Sequence, residues 1–421
     1  MRLGKAMDIY YYTSDTTHKQ SIPTIVDTRF YQDLTSLGAG SSTFIISVDQ
    51  GISDVILSAS LPEADGTVVD YTGLVLPRGW LYQAINRISV RYGSSSQYFW
   101  TGQQMMIENL REMPNPTTRD DLFSLGGANM MVAGDFTGNN LSAYAYINLP
   151  HNSPCGSMGK PNPFPSELIG QPIVITVELN SLPSLFSATS AAALATAPQV
   201  FKSAYFQVRQ IHAKESSDLM TMSGGRSSAY SFPLKAFYQN EVQNRVGKLG
   251  AVGAPSSYQI QLTGFRNGEV RSIFFWITKD SDVSPASAVV PIVKNFTNFI
   301  LPSDVELMYN GTVYYRARGT SSQMWSLITT ETPPLLNCTL LSAAGENIGV
   351  VSKPANWVEI PFGQVFEQLS GSHLYVAGKL IQNAVVNLTL TLPDEDAYTI
   401  HSVYSYNAAL MFSDKACEYV F

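Results

Sequence analysis

The chain has 421 residues, more than one hydrophobic core usually organises, so two domains of roughly 200 residues each are expected. Apolar residues make up 45% and charged ones only 14%, with a net charge of −7. That balance excludes non-specific nucleic-acid binding, which needs dense Lys and Arg to release counterions. It leaves a surface of Ser, Thr, Asn, Gln and Gly, or sides covered by other subunits, because charge is depleted in interface cores.

In chain order, residues 1–20 read as an arm ahead of the first convincing strand. MRLGKAMDIYYYTSD lacks the apolar core of a signal peptide. Tyr10, Tyr11 and Tyr12 sit in a segment with no core of its own, which points them to an interface. Residues 42–62 give a strand, a turn and a second strand. In LPRGWLY, Trp80 lies beside Gly and Pro; it either plugs a core edge or faces a neighbour, and it joins the three tyrosines as an interface candidate. INRISVRYG alternates Ile88, Val90 and Tyr92 against Ser89 and Arg91, the period of a half-buried strand. An aromatic pair follows, then GQQMMIENLRE (102–112), a helix with Met105, Met106 and Leu110 as its stripe. SAYAYINLPH (142–151) leads through a Pro-rich loop to LIGQPIVITVELN (168–180). The tract LFSATSAAALATAPQ (185–199) is a short helix or a loop, and SAYFQVRQIHA (203–213) closes the half. KESSDLMTMSGGRSSAYSF (214–232) has the Gly and Ser of a surface connection.

The second half repeats these landmarks. Residues 257–279 answer 42–62. SDVELMYNGTVYYRARGTSSQM (303–324) answers 85–105: a strand ending in Tyr, a polar turn, an aromatic pair and Gln-Met. NWVEIPFG and LIQNAVVNLTLTLP answer the Pro-loop passage, and YTIHSVYSYNAALMF (398–412) answers the closing strand. A period of roughly 215 residues suggests a duplicated domain, since solenoid units are far shorter. The fold class expected is all-β: an arm (1–20), a first sandwich (21–215), a linker (216–232) and a second sandwich (233–421), with a few short helices.

Catalytic constellations are sought and not found. The five histidines (His18, His151, His212, His373, His401) include no pair at metal-ligand spacing. GSMGK (156–160) lacks the upstream Gly of a phosphate loop, and Pro161 stands where a magnesium-binding hydroxyl belongs. No GxSxG elbow is present. Asp394, Glu395 and Asp396 read as a solvated turn, with a calcium site as the sharper alternative. Cys155, Cys338 and Cys417 make neither a disulfide framework nor a zinc site, as expected of a chain made in a cytosol. No run of about 18 apolar residues predicts a membrane span. No cofactor, metal or enzymatic activity is expected.

INRISVRYG with its aromatic strand and TGQQMMIENL helix resembles the D–E region of double jelly-roll major capsid proteins, the family of nucleocytoplasmic large DNA viruses, adenovirus hexon and tailless membrane-containing phages. YINLPH, a loop, then LIGQPIVITVELN resembles that family's F–loop–G passage. NWVEIPFGQVF and NLTLTLPDEDAYTIHSVYSYNAALMF resemble the equivalent parts of the second roll. The likeness runs from about Thr43 to Phe412, and the order and duplication carry it. The loops are short, so tall hexon-like towers are not expected.

The resemblance implies two tandem eight-stranded jelly rolls and a homotrimer whose six rolls form a pseudo-hexagonal capsomer of an icosahedral double-stranded DNA virus shell. It further implies virion localisation after synthesis in a host cell, contacts with neighbouring capsomers and minor capsid proteins, and a lipid membrane beneath the shell as a further partner. The alternatives are a carbohydrate-binding or carbohydrate-active sandwich, with Trp80, Trp276 or Trp357 stacking on sugars, and a minor capsid component of the same fold.

Overall fold

The computed structural model describes residues 25–46, 51–65, 68–112, 131, 133–147, 149, 172–213, 230–233, 237–238, 242–247, 251–262, 270–283, 288–289, 294, 296, 299–309, 311–318, 335–341, 347–354, 357–361, 384–406, 408–413 and 416–420. Strands of the first half are β1 (Ile25–Asp33), β2 (Gly40–Ile46), β3 (Gly51–Ser60), β4 (Leu74–Val75), β5 (Ile85–Tyr92), β6 (Tyr98–Trp100), β7 (Ser142–Ile147), β8 (Ile173–Leu179), β9 (Ser187–Ala188) and β10 (Ser203–Ala213). They form two antiparallel four-stranded sheets, ordered β1-β10-β3-β7 and β2-β8-β5-β6. Lettered B to I along the chain, these are the B-I-D-G and C-H-E-F sheets of a jelly roll.

The second half repeats that order. Its strands are β11 (Tyr230–Pro233), β12 (Phe237–Tyr238), β13 (Val242–Val246), β14 (Pro255–Leu262), β15 (Val270–Lys279), β16 (Ala288–Val289), β17 (Asp304–Tyr309), β18 (Thr312–Arg318), β19 (Leu335–Leu341), β20 (Asn347–Pro354), β21 (Trp357–Pro361), β22 (Ala384–Thr391), β23 (Tyr398–Tyr406), β24 (Ala409–Ser413) and β25 (Ala416–Val420). One sheet runs β12-β23-β15-β21, with β13 also on β23 and β12 with β13 together in the place of strand B; the other runs β14-β22-β17-β18. The sequence echo is therefore a structural one. The segments read as D–E and F–loop–G are in fact E–F and G–loop–H. The landmarks read from the sequence begin at residue 42 and leave out strand B (Ile25–Asp33), so the lettering slips by one place.

Alternation builds each core. In β8 Ile173, Ile175, Val177 and Leu179 are buried while their neighbours are half-exposed, and β22 repeats this with Ala384, Val386, Leu388 and Leu390. Phe44 of one sheet stacks on Phe206 of the other, centroids 5.6 Å apart, and burying such a side chain contributes about 1.5–3 kcal/mol.

Among the described residues are four α-helices, α1 (Trp80–Ala84), α2 (Gly102–Glu112), α3 (Ala191–Ala195) and α4 (Asp280–Val283), and three 3-10 turns at Ala133–Asp135, Gly138–Leu141 and Leu182–Leu185. α2 spans the predicted residues and buries Met105 and Met106; its echo at 321–331 lies outside the described residues. α2 begins against α1, and a Cβ on Gly102 would meet the Tyr82 carbonyl at 1.8 Å, so only glycine fits there. α3 resolves the Ala/Ser tract as a helix, with the Ser190 hydroxyl accepting from the Ala193 N–H. The closing stretch 398–412 is not one strand: β23 ends at Tyr406, and β24 joins β25 and β11 in a separate small sheet. Residues 230–232, expected within the linker, belong to β11, and 216–229 lie outside the described residues.

Candidate functional site: the seam between the rolls

The two rolls are joined by more than the connecting chain. β16 of the second roll adds in parallel to β9 of the first, which pairs in turn with β4, a three-stranded sheet drawn from both halves. Just beyond β16, the Lys294 N–H donates to the Ser187 hydroxyl at 2.8 Å and its ammonium to the Ser184 carbonyl. Lys294 is 2% exposed, and burial pulls its pKa down to about 8. Gln83 of α1 donates its amide to the Val283 carbonyl of α4 at 3.1 Å. The Cys417 N–H of β25 donates to the Ser94 hydroxyl in the first roll's E–F turn at 2.8 Å, so the last strand folds back onto the first roll.

Between these ties lies a cleft of about 440 Å³. Asn86, Gln103 and Asn180 line it from the first roll, and Gln243, Arg245 and His401 from the second. His401 Nε2 bonds Thr278 Oγ1 at 2.8 Å, and its ring lies flat on Trp276 with centroids 5.1 Å apart. Arg245 is paired with Asp280 at 2.7 Å. The wall is rich in amides, with one imidazole stacked on Trp276 and one ion pair, and residues of both rolls contribute to it, so it is the lining of a joint between them.

The sequence candidates fare as follows. Tyr10, Tyr11 and Tyr12 lie outside the described residues. Trp80 is a correction: it is fully buried, 6.0 Å from the Phe201 ring. A side chain with no accessible surface in the single chain has none to offer a neighbour, so its role is in the core. Trp276 is buried as well, which removes two of the three proposed sugar platforms. Trp357 opens β21 opposite Trp276.

The acidic turn holds its own cation. Lys279 Nζ lies 2.7 Å from Asp394 and 3.6 Å from Asp396, and Tyr398 donates to Asp394 at 2.8 Å. Burial alone would raise the Asp394 pKa, but the hydrogen bonds from Lys279, Tyr398 and the Asp396 N–H hold it below the usual value. Among the described residues no group of three acids, histidines or cysteines is placed to hold a metal. Cys417 is a buried free thiol; Cys155, His18, His151, His373 and GSMGK lie outside the described residues.

Sequence reasoning missed the seam itself. Its parts, WLYQA, the strand at 288–289 and Lys294, are short and carry no period, so only their meeting in space reveals them.

No family model matches the chain, and no curated protein matches its sequence. Solved structures do. The PBCV-1 protein VP54, in a structure fitted into a reconstruction of the virophage Sputnik, aligns over 97% of this chain and 100% of its own, with TM-score 0.63 and 11% identity. The Faustovirus major capsid protein aligns over 95% and 92%, with TM-score 0.56 and 9% identity. The mavirus major capsid protein aligns over 97% and 93%, with TM-score 0.53 and 11% identity. Identities this low speak to architecture, and together with the two B-I-D-G/C-H-E-F sandwiches they show that the chain has the double jelly-roll fold of these viral capsid proteins.

Proposed function

We propose that the chain is a major capsid protein, a structural subunit that catalyses nothing and assembles as a homotrimeric, pseudo-hexagonal capsomer of an icosahedral double-stranded DNA virus shell. The observation that carries the reading is the fusion of two rolls of identical strand order, side by side, with a likeness to major capsid proteins over nearly the whole chain. A trimer of such chains presents six similar rolls around one axis, and a near-hexagonal outline tiles a flat facet.

The arm (1–20), the rolls (21–215 and 233–421) and the linker (216–232) are the proposed units. The arm with Tyr10–Tyr12 contacts neighbouring capsomers, minor capsid proteins or a lipid layer beneath the shell. The protein resides in the virion after synthesis in the host cell, and it makes no direct contact with nucleic acid. The sugar-binding reading has lost Trp80 and Trp276 as platforms, and no other observation favours it.

Light scattering on a sizing column, at two concentrations, tests the proposal. A mass of three chains at both, followed by flat arrays or shells in electron micrographs, is expected. A single-chain mass at both concentrations would sink the capsomer reading while leaving the fold intact.

A further inference from the structure

We infer that the cleft between the rolls binds a small oxyanion, a phosphate or carboxylate group, at the N-terminus of α2. The inference goes beyond the capsid reading and does not depend on how many chains associate.

The helix supplies the first element. α2 runs for 11 residues and has no acidic residue in its first turn. The leading N–H groups of a helix have no partner within it, and its aligned peptide dipoles leave partial positive charge at that end. Here the Thr101 hydroxyl takes the Gln104 N–H at 3.1 Å, and the Met105 N–H begins the ladder on the Thr101 carbonyl at 3.0 Å. The N–H groups of Gly102 and Gln103 are taken by neither the cap nor the ladder. Thr101 and Gln103 both line the cleft, so this end of the helix opens on it.

The second element is a side chain. Gln103 is 8% exposed, and its Nε2 has no hydrogen-bond partner. An unpaired buried donor is costly, and native interiors seldom keep one without a reason. The orphan is a donor, so what satisfies it is an acceptor. The neighbouring amide does not share this need, because Gln104 Nε2 donates to Glu108 at 2.7 Å.

The wall from the second roll agrees in kind. The Arg245 side chain is 73% exposed and gives its Nε–H to Asp280 at 2.7 Å; the rest of the guanidinium carries further donors. Asp280 is the one carboxylate among the described lining residues. Its charge is already answered, by Arg245 and by the Thr399 hydroxyl at 2.7 Å. Asn86 and Gln243 add side-chain amides from the two rolls. Donors gathered around an uncompensated helix start are the chemistry of oxyanion binding. The cleft measures about 440 Å³, and Asn86, Thr101 and Gln243 also line an adjoining hollow of about 290 Å³ beside Arg87 and Phe99. That space exceeds a bare oxyanion, so the ligand can carry further atoms on its anionic group.

Calorimetric titration of the full-length chain with inorganic phosphate, and separately with acetate, at constant ionic strength is the test. Saturable binding at millimolar concentrations is expected; phosphate binding points to a phosphorylated ligand, and binding of acetate alone to a carboxylate. Gln103→Leu should weaken the binding at least about tenfold, and Gln103→Glu, which sets a carboxylate at the helix start, should abolish it. The inference is overturned if neither anion binds saturably, and equally if Gln103→Leu leaves the affinity unchanged. Should Gln103→Leu fold poorly, Arg245→Gln, on an exposed side chain, decides: a like loss of affinity is expected, and unchanged binding overturns the site.

Discussion

Strand F differs between the rolls although its place in the fold is the same. In the first roll β6 is three residues, Tyr98, Phe99 and Trp100, with both outer members buried and the Tyr98 and Trp100 rings 4.8 Å apart. In the second, β18 is seven residues, five of them exposed, with Tyr315 half-buried and Ala317 buried. Its outward side is a charged ladder: Arg318 on Asp304 at 2.5 Å, and Arg316 reaching Asp304 at 3.5 Å and Glu306 at 3.4 Å. One roll hides its sheet edge under apolar packing, and the other keeps it wet and charged, a common guard against unwanted strand pairing. Topology sets where an edge lies, and side chains decide how it is treated.

Three experiments would break or sharpen this contrast. The largest effect belongs to the buried edge: Trp100→Ala should cost about 3–5 kcal/mol, whereas Tyr314→Ala on the exposed edge should stay within about 0.5 kcal/mol. Thermal unfolding of each variant compares them, and equal losses would mean the edges are not treated differently.

Next comes the seam. Lys294 has its pKa lowered to about 8 from 10.5 by burial. Between those values the unfolded chain binds more protons than the folded one, so stability rises with pH across that window and sits at its lower plateau below pH 8. Lys294→Met should remove this rise, which amounts to at most about 3 kcal/mol, and should raise the melting temperature at neutral pH. A variant whose stability still climbs by the same amount between pH 8 and 10.5 would contradict the assignment.

The smallest effect is on the ladder. Arg318→Ala should cost about 0.2–1 kcal/mol at low salt and less in high salt. A loss unaffected by salt would show that Arg318 acts by packing.

Much of the molecule was legible beforehand because strands advertise themselves by period. β8 and β22 alternate cleanly, β5 does so in sequence although Ser89 is buried with its neighbours, and α2 carries the Met105–Met106 stripe. The duplicated order of those segments was enough to suggest two rolls. Strand B was not among those segments: IVDTRFYQD carries Asp27, Arg29 and Asp33 at alternate positions but puts Gln32 in the set of Val26, Thr28 and Phe30, which blurs the apolar period. Trp80 was ambiguous because an aromatic beside Gly and Pro looks alike whether it plugs a core or meets a partner; α1 and Phe201, far apart in sequence, settle it.

What the sequence by itself determined is the all-β class and the duplication, since periodicity and repetition are properties of neighbours along the chain. Only the tertiary structure decided the seam. Lys294 under Ser184, β16 beside β9, Cys417 against Ser94 and the covered Trp276 face are pairings of residues roughly 100 to 300 positions apart. No local pattern encodes them, because burial depends on which surfaces meet once both rolls have folded.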